Sequence, residues 1–282
     1  MTDEARPHIS WNPVTGCAKT SGGCRFCYAE RLSERYGRTS RPWSAANAVD
    51  NIVLHPERLA QPRTWRKPRD VFAGSMTDIF GEFVPEEYLA RIAAAVLAAP
   101  TSRFWSTTKR AERMRASLSS SAFWELVRTA ALDEQRLDPD AISTALSERR
   151  APNWTLGVSI ESDRFASRAD ELRATPADRR IVIAEPLLGP IPSLGLDGID
   201  ELSVGGESGG SAERALVEHC PNHTGRSGGH CMGTGWAPRP ERIEWGRELR
   251  DLALAAGVAF TFHQWGGPYN SAGGNILDGR KW

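Results

Sequence analysis

Apolar and polar positions fall into short β-like runs separated by longer stretches of helical period. The runs rich in β-branched and aromatic residues are His8–Asn12, Asp70–Ser75, Arg103–Thr107, Thr155–Ile160, Arg180–Ala184, Glu201–Val204 and Ala259–His263. Helical patterns lie between them at Tyr28–Tyr36, Pro85–Ala98, Ala111–Leu118, Asp163–Ala174 and Pro240–Ala256. Glu86 and Asp163 stand where caps or first-turn acids belong, and Gly257 sits just past the last helix, at its C′ position. Such alternation predicts an α/β fold with a parallel sheet. Six or seven strands joined by one kind of unit suit a partial or full (β/α) TIM-like barrel better than a doubly wound sheet.

Two segments interrupt the rhythm of what reads as a single barrel domain over residues 1–282. Residues 119–150 look like an inserted pair of helices, split near Asp138-Pro139. Residues 208–239, rich in Gly, Ser, His and Pro, read as a long loop, and a loop of this length in a compact domain usually has a function of its own.

Polar residues follow nearly every strand. Ser75-Met76-Thr77-Asp78 follows the second, Thr107-Thr108-Lys109-Arg110 the third, and Ser159-Ile160-Glu161 ends the fourth. Glu185 follows the fifth, Gly205-Gly206-Glu207-Ser208 the sixth, and His263-Gln264-Trp265 the seventh. Loops begin at strand ends, which explains some of this polarity. In a parallel barrel, however, these ends share the face where chemistry is placed. Lys109, Glu185, Glu207 and His263 are therefore the candidate catalytic groups. The two glutamates suit acid/base work or binding of a substrate ammonium, with structural pairing to Lys109 or Arg110 as the alternative.

Composition narrows the picture. The 35 Lys and Arg balance 35 Asp and Glu, so no global charge points to nucleic acid or an anionic membrane. Local basic groups remain, at Lys109, Arg110 and Arg113 and at Arg63, Arg66, Lys67 and Arg69 around Trp65; such groups grip phosphate and stack bases, or simply solvate a loop. The longest apolar run, IAAAVLAA at 92–99, is too short to span a bilayer, and MTDEARPHISWNP lacks the apolar segment of a signal peptide. The expectation is a cytoplasmic protein without membrane contact, a monomer or small homo-oligomer. Five cysteines, odd in number and clustered, suit metal binding or catalysis better than disulfides.

Three of those cysteines lie within GCAKTSGGCRFCYAE, residues 16–30, spaced Cys17-x6-Cys24-x2-Cys27. The Cys-x2-Cys pair lets two sulfurs approach one centre, and Gly22-Gly23 allows a tight backbone beside it. Structural zinc asks for four ligands, with His8, His55, Cys220 or Cys231 as possible fourths. An iron–sulfur cube held by three thiolates leaves one iron open for a cofactor or substrate. Unrelated thiols are the third reading. A second metal site, most simply zinc, is open to Cys220, His223, His230 and Cys231, which fall close together in the long loop; an ordinary flexible loop accounts for them equally.

The stretch SWNPVTGCAKTSGGCRFCYAERL resembles the phage Gp37/Gp68 family, a radical-SAM-like group of unknown function. The resemblance continues through LHPERLAQPRTWRKPRDVFAGSMTDIFGEFVP, TTKRAERM, WTLGVSIES, AEPLLGPI, VGGESG, AGVAFTFHQWGG and LDGRKW. It leaves out only 119–150 and 210–239. It implies a radical S-adenosylmethionine (SAM) barrel in which Cys17, Cys24 and Cys27 bind a 4Fe-4S cluster, SAM chelates the open iron, and an electron donor supplies the electron that cleaves SAM. The radical so formed abstracts hydrogen from a substrate. The phage association points to a nucleotide or a modified nucleic-acid base. By position, Ser75, Thr77 and Asp78 suit the SAM amine, and Ser159 and Glu161 its ribose or carboxylate. The chain departs from the commonest radical-SAM pattern in three places. Its first cysteine gap is six residues and not three. Its Gly-Gly-Glu closes a late strand. His263 stands where relatives carry lysine before Gln-Trp-Gly. The rival reading is a non-catalytic, zinc-stabilised binding protein, a phage–host interaction factor, on the same scaffold.

Overall fold

All seven strands are present in the computed structural model, which describes residues 7–210, 214–220, 235–269 and 272–282. They are β1 (His8–Trp11), β2 (Asp70–Ala73), β3 (Arg103–Thr108), β4 (Trp154–Ser159), β5 (Arg180–Ala184), β6 (Glu201–Gly205) and β7 (Ala259–Gln264). They form one sheet in chain order, the order expected of repeated right-handed β–α–β units. This is the partial (β/α)-barrel class that the strand–helix alternation predicts. Among the described residues no helix is long and apolar enough to cross a membrane.

The chain divides into two compact units. The first holds Met1–Lys19, Ala29–Val158 and Glu171–Arg180. In it β1, β2 and β3 pair in parallel, with Trp11 opposite Ala73 and Phe72 opposite Trp105. Side chains alternate between faces. Val71, Ala73, Phe104, Leu156 and Val158 are wholly buried on one face, while Phe72 and Trp105 stack at 3.7 Å on the other. The flanking helices are α1 (Tyr28–Arg35), α2 (Glu86–Leu97), α3 (Ala111–Ser119), α4 (Ser121–Asp133) and α5 (Pro139–Glu148). Alanine-rich α2 combines high helix propensity with two glutamates in its first turn, and it packs against α4. Residues 121–133 and 139–148 are the helices α4 and α5, with Asp138 capping α5 through Asp140 N at 2.9 Å.

The second unit holds Thr20–Tyr28, Ser159–Asp170 and Ile181–Trp282. Here β5, β6 and β7 are parallel, and the 16-residue helix α7 (Pro240–Ala255) packs on β6 and β7. Gly257 follows it at φ +67°, the left-handed stop expected there. The pairing of β7 with β6 slips between Phe262 and Gln264, a bulge centred on His263. Residues 163–174 are not one helix: a single 3-10 turn, Asp163–Phe165, precedes helix α6 (Arg168–Ala174). Within the 208–239 segment, Val217–His219 and Trp236–Pro238 pair as a short antiparallel ladder.

Candidate functional site

Cys17 lies on the loop after β1, in the first unit. Gly16 before it has φ +85°, and a Cβ there would come within 1.9 Å of the Asn51 carbonyl oxygen, so only glycine fits the turn. Gly16 N donates to Met76 O at 3.0 Å, and Thr77 Oγ1 donates to Gly16 O at 2.6 Å. Ser75 is itself held by the Asn12 side chain at 2.9 Å. Ser75 and Thr77 thus tie the loop after β2 to the loop that carries Cys17.

Arg110 completes this anchorage. Its side chain is 6% exposed and reaches the Ala18 carbonyl at 2.7 Å, Glu82 at 2.6 Å and Asp78 at 3.1 Å. Burial pulls its pKa down, but Asp78, the Cys17 sulfur and Glu82 outweigh that and raise it, so the guanidinium stays charged. The same proximity favours Cys17 as thiolate. Asp78 also accepts from Thr108 Oγ1 at 2.8 Å and from the backbone N–H of Lys109 and Phe80, both at 3.1 Å. These bonds draw Asp78 into support of the Cys17 loop, and Lys109 enters through its backbone.

Cys24 and Cys27 lie in the second unit, around the 3-10 turn Gly22–Cys24. The hydroxyls of Ser21 and Thr20 lie 3.8 and 3.9 Å from Cys24 Sγ. Ser21 Oγ also donates to Glu161, a carboxylate 1% exposed, whose second oxygen accepts from Arg168 Nη1 at 2.8 Å. Arg168 further donates to Ser159 O at 2.6 Å. Gly23 packs so closely on Glu161 that a Cβ would approach its carboxylate to 2.6 Å. On the other side of the turn, Arg214 donates to both Gly22 O at 2.8 Å and Glu207 Oε1 at 2.7 Å. Its guanidinium lies 5.2 Å from the Phe26 ring centre, as does that of Arg25. Glu161 and Glu207, from two different strand ends, therefore fix the Cys-x2-Cys turn from two directions.

Glu185 and His263 also come together in this unit. His263 Nδ1 lies 2.8 Å from Glu185 Oε2, and Gln264 Nε2 donates to Glu185 Oε1 at 2.9 Å. Ser208 Oγ donates to Gln264 Oε1 at 3.1 Å, and Ser159 Oγ to Glu185 O at 3.2 Å. The hydrogen bond to Glu185 raises the His263 pKa against partial burial.

Of the loop residues considered for a second metal, Cys220 is buried beside Ala237, and His223, His230 and Cys231 lie outside the described residues. Among the described residues no three His, Cys, Asp or Glu side chains are gathered as a metal site. The thiols of Cys17, Cys24 and Cys27 lie outside any described disulfide, with a guanidinium near Cys17 and hydroxyls near Cys24, and are donors of the kind that an iron–sulfur centre takes. Sequence reasoning missed Ser21, Arg168, Arg214 and Gln264. Ser21 stood beside the cysteines and Gln264 beside His263, but Arg168 and Arg214 carried no local signal.

No curated protein matches the chain. A cysteine-to-serine mutant of spore photoproduct lyase superposes with a TM-score of 0.45 at 13% identity, over 89% of this chain and 75% of that one. The lyase complexed with dinucleoside spore photoproduct gives 0.43 at 12% identity, over 88% and 74%. Residues 5–221 match a family under the description protein of unknown function, and not under the phage Gp37/Gp68 name. The chain belongs to this family, DUF5131.

Proposed function

We propose that the protein is a radical SAM enzyme in which Cys17, Cys24 and Cys27 hold a 4Fe-4S cluster by three irons. The observation that carries this reading is the Cys-x6-Cys-x2-Cys spacing on the loop after β1, with each stretch of that loop independently anchored by buried charged groups. Three thiolates leave one iron for SAM, and the bound pair would supply one-electron cleavage of SAM and hydrogen abstraction from substrate.

The chain's own residues then have separable tasks. Thr77, Asp78 and Arg110 hold the Cys17 loop; Ser159, Glu161 and Arg168 hold the Cys24 turn. Ser75, fixed by Asn12, offers its hydroxyl next to Thr77, at the position suited to the SAM amine. Glu207, through Arg214, steadies Gly22 and Phe26. Lys109, Glu185 and His263 are left for the substrate, for which a nucleotide or modified nucleobase fits best: Lys109 suits phosphate, and Glu185 and His263 suit exchangeable protons. An electron donor completes the system.

The test is anaerobic reconstitution with iron and sulfide, followed by SAM and dithionite. Release of 5′-deoxyadenosine supports the reading. Its absence from a fully loaded protein, or a colourless preparation with one zinc per chain, overturns it. A search for altered nucleosides in expressing cells then identifies the substrate.

A further inference from the structure

We infer that Gln264 and Ser208 are positioning residues that, by holding Glu185 against Nδ1, fix the tautomer of His263 and leave its Nε2 as a proton acceptor for substrate. The inference deepens the reading above, on which it rests for the substrate's presence, and its own grounds are geometric.

In a regular strand consecutive side chains point to opposite faces. The bulge at His263 breaks that alternation, and it is why His263 and Gln264 both reach the same carboxylate. The chain of bonds has one consistent direction. The Glu185 carboxylate only accepts, so the end of the Gln264 amide that faces it is the NH₂, and Oε1 is left to accept from Ser208 Oγ. That NH₂ donates to Glu185 Oε1, leaving Oε2 for His263. A carboxylate only accepts, so the ring nitrogen facing it, Nδ1, carries the proton, and the neutral imidazole presents a lone pair at Nε2. Among the described residues, Glu185 is the charged group that acts on this ring. The His263 side chain is 62% exposed, so the ring is within reach of substrate and solvent.

The proton step balances without an oxidant or reductant. A substrate O–H or N–H bond breaks, its proton forms Nε2–H, and the electron pair stays on the substrate oxygen or nitrogen. The resulting imidazolium is paired with Glu185, and its proton then leaves to water. A hydroxyl or amino group on a carbon that has lost a hydrogen atom is more acidic than its parent, so such an acceptor is useful where Glu207 is held by Arg214.

Histidine-selective ¹⁵N NMR of the full-length reconstituted protein tests this. Neutral His263 is expected as the Nδ1–H tautomer. In Glu185→Gln its titration midpoint falls. In Gln264→Leu and Ser208→Ala the Nε2–H tautomer appears while the melting temperature holds, a change that a merely structural role would not produce. An Nε2–H tautomer in the wild type, or a tautomer unchanged in both Gln264→Leu and Ser208→Ala, overturns the inference. Neither readout involves SAM cleavage, so a negative result here leaves the radical reading standing, and the reverse also holds.

Discussion

Arg214 Nη2 lies 2.7 Å from Glu207 Oε1 and spans from there to the Gly22 carbonyl, two residues before Cys24. A carboxylate 5% exposed is thereby coupled to the backbone of the cysteine turn. Arg214→Ala removes both bonds and the cation over Phe26 while leaving every cysteine in place. The loss of charged hydrogen bonds costs on the order of 1.5–3 kcal/mol. The expected outcome is faster anaerobic release of iron to a chelator and a lower melting temperature. Arg214→Lys, which keeps the charge without the planar fork, falls between the two.

Two adjacent glycines should behave oppositely. A Cβ on Gly23 meets Glu161 at 2.6 Å, whereas a Cβ on Gly22 meets nothing within 4 Å. Gly23→Ala must push Glu161 away from Ser21 and Arg168, at a cost of about 1–3 kcal/mol typical of overpacking. Gly22→Ala, free of such a clash, is expected to be neutral or to stabilise by up to about 1 kcal/mol. Parallel urea denaturation of the two variants checks the difference.

In the first unit the corresponding support is Arg110. Both its side chain and that of Asp78 are at most 10% exposed. Arg110→Met leaves Asp78 buried without its guanidinium, and breaking a buried pair in this way costs about 3–5 kcal/mol. It also removes the cation beside Cys17. Thermal melting should register the first effect, and slower alkylation of Cys17 in cluster-free protein the second, because less of the thiol is ionised.

The His263–Glu185 pair gives stability a pH dependence. The folded pKa of His263 lies above the ordinary histidine value, because imidazolium is favoured by Glu185. Its contribution is therefore complete below the unfolded pKa and is lost as pH rises through the higher folded value. The exposure of the ring keeps the contribution small. Melting temperatures of the wild type should exceed those of Glu185→Gln in mildly acid solution and approach them at alkaline pH.

Much of the fold was legible because it is written in local periodicity. β5 runs over the expected Arg180–Ala184, and the other strands shift by two residues at most, since alternation is clear in the middle of a strand and weak at its ends. The break between Phe165 and Arg168 was not legible, because both pieces share one apolar period. At the site, the cysteines and the strand-end acids could be named from spacing. What those acids do could not: Ser21 meets Glu161 across 140 positions and Arg214 meets Gly22 across 192. Such pairings are made by tertiary structure, and an arginine in a Gly/Ser-rich loop looks like any solvated charge. The bulge that turns His263 and Gln264 onto one carboxylate likewise has no glycine or proline to announce it within Phe262–Gln264.

The central claim is that three cysteines, and only three, ligate a four-iron cluster. Mössbauer spectroscopy of ⁵⁷Fe-reconstituted protein with and without SAM tests it most directly. The account predicts about four irons per chain, with one site whose signal changes when SAM is added, and loss of the cluster in each of Cys17→Ala, Cys24→Ala and Cys27→Ala. Four equivalent irons indifferent to SAM, or a cluster that survives Cys24→Ala intact, would contradict it.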